Sequence, residues 1–177
     1  MSKQLSELIP VLQNLVPLIR NELARRGIDT EVGFTSRSKT EQDLARKNGA
    51  SQAAFGKSWH NTKPPGASKT DPGLIASCAV DLWIPASRSV KTGGVTAFDW
   101  NNEHYKVVGE VYEGWGLIWG GSWKRLHDAP HGQAPILSSP REEHWVMTLE
   151  ELDIFCRSEI NKTRKLRGLC SLEEVKW

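Results

Sequence analysis

The chain is short of the features that assign most proteins to a compartment or a partner. It has three cysteines in 177 residues, Cys78, Cys156 and Cys170, an odd number with no C-x-x-C spacing. They read as reduced thiols in a protein made in a reducing compartment. Strong charge of one sign is missing too, since 23 basic against 21 acidic residues leave +2. That balance argues against a nucleic-acid binder, although a mildly basic protein suits an acidic polymer such as a cell wall. The basic run at 162–167 has no aromatic residues interleaved with it. No apolar stretch is long enough to span a membrane, and Pro10 and Pro17 interrupt the most apolar early region. The opening Met1-Ser2-Lys3-Gln4 is not followed by the apolar run and small-residue cleavage site of an export signal. A soluble, cytoplasmically made monomer with no membrane insertion is expected.

What the chain does have is tryptophan. Three of the eight lie within Gly114-Trp115-Gly116-Leu117-Ile118-Trp119-Gly120-Gly121-Ser122-Trp123, and His127-Asp128-Ala129-Pro130-His131 follows. An aromatic-walled strand ending in an acid and a metal-capable imidazole suits a hydrolytic pocket. The same residues also read as a Trp-rich core strand with two loop histidines.

The rest of the chain, 38% hydrophobic, suits one domain with a real core. Leu5, Leu8, Leu12, Leu15, Ile19 and Leu23 recur at helical spacing, with Pro10 as an opening, Pro17 as a kink or break and Gly27 as a stop. A short strand at 31–35 leads to Arg37, and a helix is expected to open at Thr40 and close at Gly49. Arg37 at that junction can point into a cleft or lie on the surface. After Ser58-Trp59-His60, residues 61–77 are rich in Pro, Gly, Ser and Lys and form a long loop, either a flap over a cleft or a plain surface excursion. Asp81 then stands alone in the apolar strand Cys78-Ala79-Val80-Asp81-Leu82-Trp83-Ile84, where burial needs a partner or a metal. Residues 85–96 read as a loop with Gly93-Gly94. Asn101 or Asn102 caps a helix running to Gly114, and Thr148-Leu149-Glu150-Glu151 is a capping box for a helix ending near Arg167.

His60, Asp81, Asp128 and His131 are two imidazoles and two carboxylates at expected strand ends. A zinc hydrolase needs three N or O ligands, an open position, and a nearby unligated carboxylate to take a proton. Together Ser58-x-His60, Ala79-Val80-Asp81, Trp119-Gly120-Gly121-x-Trp123 and Asp128-x-Pro130-His131 resemble the zinc D-alanyl-D-alanine carboxypeptidase and L-alanyl-D-glutamate peptidase family, many of whose members are phage endolysins. Arg37-Ser38 with Gln42 is similar to that family's Arg-Ser-x-x-x-Gln segment. The likeness covers about 31–133.

The resemblance implies an α+β fold of the hedgehog/D,D-peptidase kind, a small antiparallel sheet carrying the zinc site between helices. It implies His60, Asp81 and His131 as ligands of Zn2+ and Asp128 as the base. Arg37 would steady the oxyanion or hold substrate, with Ser38, Gln42, Trp119 and Trp123 as further substrate contacts. Residues 1–137 would form the catalytic domain and 138–177 a helical extension packed on it. The partner would be the peptidoglycan stem peptide, cut by an endolysin that reaches the wall after release from the host cytoplasm. The chain departs from the pattern in three places. An insertion separates His60 from Asp81, which leaves His104 and His127 as other imidazoles; Ser77 replaces a Gly; and Gln133 replaces a Glu. The competing readings are an inactive binding module on the same fold and a structural or nucleic-acid-interacting protein.

Overall fold

The computed structural model describes residues 2–86, 91–92, 95–96, 98–124, 127–136 and 139–175. The fold is α+β, with a small antiparallel sheet flanked by helices. Helix α1 (Pro10–Arg25) opens with Pro10 at its first turn and buries Val11, Leu12, Leu15, Val16, Ile19 and Leu23 as one stripe. It runs on through Pro17, where a kink or a break was expected. Pro17 lies on the exposed side, where water can meet the carbonyl that loses its N–H partner.

Strand β1 (Glu31–Phe34) leads to helix α2 (Lys39–Lys47). Ser38, not Thr40, is its N-cap: it forms a capping box with Glu41. Strand β2 (Ala79–Pro85) is the hub of the sheet, which runs β1-β2-β7-β6, with β7 at His131–Gln133, β6 at Ile118–Trp119 and β5 (Phe98–Asp99) also paired to β2. The expected Trp strand is therefore two residues long. At Gly120–Ser122 it turns into a 3-10 helix, which the glycines permit and a longer strand would not. Part of the expected 85–96 loop is a hairpin of β3 (Lys91–Thr92) and β4 (Val95–Thr96); Gly93-Gly94 lies outside the described residues. Helix α3 (Asn102–Gly114) is capped by the Asn101 side chain, as the sequence suggested.

After a short α4 (Glu142–Trp145), helix α5 (Leu149–Leu166) starts at the Thr148 capping box. It buries Leu152, Cys156 and Ile160 in the same apolar cluster as α1 and β2. The Asp153 carboxylate accepts from the Val11 N–H at 2.6 Å, and the Cys156 thiol lies 3.6 Å from that of Cys78 as an unbridged pair. The boundary at 137–138 lies outside the described residues. No helix of the described residues is long and apolar enough to cross a membrane.

Candidate metal centre

The register of β2 and β7 sets Asp81 directly opposite His131. Cross-strand partners share a face of the sheet, so the carboxylate and the imidazole meet without help from any loop. Gln133, two residues along β7, falls on that face as well. His60 arrives separately, from a turn after α2. Its carbonyl accepts from the Arg37 N–H at 2.8 Å, and Asn61 forms a bridge with Arg37.

The three ligand-capable atoms form an almost equilateral triangle. His60 Nε2, His131 Nδ1 and Asp81 Oδ1 are each 3.1 Å from the other two. All three residues are buried. The outer ring nitrogens fix the tautomers. His60 Nδ1 lies 3.0 Å from the Thr35 carbonyl, which can only accept, so Nδ1 carries the proton. Gln133 Nε2 donates to the Ile136 carbonyl at 3.1 Å, which leaves Gln133 Oε1, at 2.9 Å, to accept from His131 Nε2. Three lone pairs therefore converge with no proton between them.

That arrangement needs positive charge at its centre. Burial opposes ionisation of Asp81, yet the two imidazoles hold its carboxyl well below the usual range. Burial likewise opposes an imidazolium at His131, while the hydrogen bond to Asp81 and the carboxylates of Asp81 and Asp128 raise its pKa. A proton can bridge one pair of these atoms; a metal serves all three. Tetrahedral zinc with bonds near 2.0–2.1 Å sets its ligands about 3.3 Å apart, close to the observed 3.1 Å. The outer partners are those that orient metal-bound histidines. The residues present fit a zinc ion.

Among the described residues, no other group of three metal-capable side chains forms. His104 pairs with Asp99 at 2.6 Å, His127 is exposed against the Gly121 carbonyl, and His144 is buried beside Trp59. Among the described residues, His60 is thus the imidazole that joins Asp81 and His131.

Asp128 sits beside the triangle in a cleft of ≈ 490 Å³ that is also lined by His60, His131, Arg37, Trp123 and Gln133. Burial and the neighbouring Asp81 charge push its pKa above the ordinary carboxylate value, the direction a general base working near neutral pH requires. A tight turn presents it, with the His131 N–H donating to the Asp128 carbonyl at 3.2 Å. Gly120 makes room: a Cβ there would stand 2.6 Å from that carbonyl oxygen and 2.9 Å from His131 Cβ.

Arg37 lines the same cleft. Its Nη1 donates to Gln42 Oε1 at 3.1 Å, and its Nε is buried without a partner among the described residues. A fixed guanidinium with a spare donor beside a metal-ready site suits a developing negative charge.

Of the other expected contacts, Trp123 lines this cleft and Ser38, Gln42 and Trp119 do not. Gln42 is fully buried: its Oε1 also accepts from Asn61 Nδ2 at 3.0 Å, and its Nε2 donates to Ser51 Oγ and the Ala53 carbonyl. It holds Arg37 and the His60 turn and has no capacity left for substrate. The Ser38 hydroxyl is engaged in its capping box. Trp123 forms a wall of the cleft, its ring 5.0 Å from that of His131. Trp119 is packed where a Cβ on Gly109 or Gly121 would stand, 2.3 and 2.1 Å from its ring, and its indole N–H donates to the Ala129 carbonyl at 2.7 Å. It braces the Asp128–His131 turn from behind.

The insertion at 61–77 closes on itself. Thr62 bridges Leu74, and Lys63 Nζ donates to the Trp145 carbonyl at 2.7 Å, on the C-terminal side. The described residues lining the cleft come from 50–60, from β6 through the Asp128 turn to β7, and from Arg37, Glu113, Ile136, Ser139 and Arg167, none of them from this loop, so the structure gives the flap no support. The Ser77 hydroxyl, standing where the resemblance expects Gly, lies 2.8 Å from the Ala79 carbonyl and 3.2 Å from the Trp59 carbonyl, with its one proton to share between them, and sits where the loop returns beside the His60 turn. Gln133 was legible as a departure but not as the tautomer lock of His131; its place two residues along the same strand was the available signal.

A sheet that pairs an acid with a histidine, and a loop that adds a second histidine and a cation, make a group that could hold a metal ion. Residues 75–134 match the family model described as D-alanyl-D-alanine carboxypeptidase, a stretch holding Asp81, Trp119, Asp128 and His131. The resemblance read from the motifs is therefore to a family whose model the sequence matches. The chain is also similar to the crystal structure of Serratia marcescens L-Ala D-Glu endopeptidase ChiX, at 26% identity and a TM-score of 0.43, over 73% of this chain and 81% of that chain. No curated protein matches.

Proposed function

We infer that the chain is a zinc-dependent peptidase that hydrolyses an amide bond in peptidoglycan stem peptides. The observation that carries this reading is the triangle of His60, Asp81 and His131, three lone pairs aimed at one point with both histidine tautomers locked from outside. The family match over 75–134 supports the reaction class and the substrate.

Zinc, when bound, supplies Lewis-acid polarisation of a carbonyl and activation of water. The chain's own residues do the rest. Asp128 takes the proton from the attacking water and passes it to the leaving amine. The Arg37 guanidinium adds positive charge where the carbonyl oxygen becomes negative, and Gln42 keeps it there. Trp123 and the buried side chains of His60, His131 and Gln133 line the cleft beside the reacting atoms.

The same reading extends to a phage-type endolysin that meets the wall after release from the host cytoplasm, with 138–177 as part of the folded enzyme. The alternative of an inactive binding module is disfavoured because a base stands beside a complete ligand set.

Purified protein should hold about one zinc per chain by elemental analysis. It should also release new amino termini from muropeptides, read by mass spectrometry. In Asp128→Ala the metal should stay and kcat should fall roughly 10²–10⁴-fold. Metal retained with no cleavage of any stem by the unaltered protein would leave the binding module as the better account.

A further inference from the structure

A second, larger cavity of ≈ 760 Å³ meets the first at the metal centre, and Arg37 and Asp128 line both. Phe34, Trp83, Trp100 and Tyr105 line it, joined through Phe98 into a run of ring contacts. Rings step from Phe34 to Trp83 at 4.8 Å, to Phe98 at 4.6 Å and to Trp100 at 6.4 Å, and Trp100 stacks on Tyr105 at 6.0 Å with 17° between planes. Tyr105 is buried, but Trp100 is 59% exposed. It is an odd place to leave a large ring in water. Trp100 is held between β5 and α3, where the Asp99 carboxylate accepts from the Asn101 N–H at 2.8 Å and pairs with His104 at 2.6 Å. The ring is thus presented on a fixed backbone, so little ordering is needed to bind against it.

The two arms differ in charge. The polar arm is lined by three cations, Arg37, Lys57 and Arg167, against the carboxylates of Glu113 and Asp128. The aromatic arm reverses this among the described residues, where Arg37 is the one Lys or Arg against Glu41, Asp81 and Asp128, and it adds the amides of Asn48 and Asn102. An acidic peptide is drawn to the first arm. The second suits a neutral ligand with an apolar face to lay on an indole and hydroxyl or amide groups to meet carboxylates and side-chain amides. A pyranose ring has that chemistry.

We propose that the aromatic arm at Trp100 is a saccharide subsite that takes a pyranose of the glycan strand bearing the stem peptide. The proposal rests on the peptidoglycan reading of the centre and deepens it. The substrate then crosses the metal, with sugar on the Trp100 side and the acidic peptide on the Lys57 side, and the bond cut is internal to a longer chain.

The test compares Trp100→Ala and Trp100→Phe with the unaltered protein on a disaccharide-linked stem and on the same stem without sugar. Thermal melts and zinc content check that each variant is folded and loaded. For Trp100→Ala, the ratio of kcat/KM on sugar-bearing to sugar-free stem should fall by roughly tenfold, mainly through KM. Trp100→Phe should recover much of it. In parallel, the peptide-free N-acetylated disaccharide should bind the metal-free protein saturably by calorimetry, and more weakly in Trp100→Ala. An unchanged ratio, an equal fall on both substrates, or no saturable disaccharide binding would each overturn the subsite. An equal fall would give the arm to peptide. Saccharide binding without cleavage of either stem would instead reject the peptidase reading and leave the subsite standing.

Discussion

The two halves of the metal centre are built by different means. Asp81 and His131 stand opposite each other on paired strands, so backbone register alone sets their 3.1 Å contact. His60 sits on a turn and is held by side chains: Gln42 binds Asn61, Asn61 Oδ1 accepts from the Gly56 and Ser58 N–H groups, and Arg37 completes the network. A ladder tolerates changes in individual side chains because its bonds are backbone bonds. A buried polar network does not, because each member left alone is an unpaired group in a dry place. The strand half should therefore be robust, and the turn half the place where mutation is felt first.

The largest effect should come from the ligands themselves, and there the halves should not differ. His60→Ala and His131→Ala should each lose most bound zinc, measured by elemental analysis after dialysis, and with it activity. Full zinc in His60→Ala alone would show that the turn half is not part of the site. Next, Gln133→Leu removes the acceptor that fixes the His131 tautomer. Zinc affinity by competition with a chromophoric chelator should fall about 10–100-fold. An unchanged affinity would mean that strand register fixes the imidazole without this partner.

A smaller effect, on folding, should separate the halves most clearly. Gln42→Ala strands Asn61 and Arg37 in a buried setting and should cost about 2 kcal/mol, or roughly 4–8 °C in melting temperature. It should also lower turnover, because Arg37 loses its tether. A melt within 1 °C of the unaltered protein would show that the turn does not depend on the network. The smallest effect is expected at the insertion. Lys63→Ala removes the tie to Trp145 and should change stability by no more than about 1 kcal/mol, with stem-peptide turnover unaltered. A large fall in turnover would restore the flap.

The sequence by itself determined the helices with strong periods and caps. The α1 stripe, an Asn cap of α3 at 101 or 102 and the Thr148 capping box of α5 are local signals, and local hydrogen bonds and burial of one face decide them. Through the family resemblance it also pointed to His60, Asp81 and His131 as candidate ligands, and the structure brings these three side chains together. Tertiary structure decided what depends on residues far apart in the chain. Whether Gln42 and Ser38 touch substrate or hold the scaffold, whether Trp119 faces the cleft or its back, and where the 61–77 loop lies could not be read from spacing. Each is settled by which partner reaches the side chain first: the Gln42 amide is used up by Arg37, Asn61, Ser51 and Ala53 before a substrate can approach it. The meeting of two cavities at Arg37 and Asp128 is of the same kind, since it exists only once β1, β2, α2 and the Asp128 turn have packed around one point.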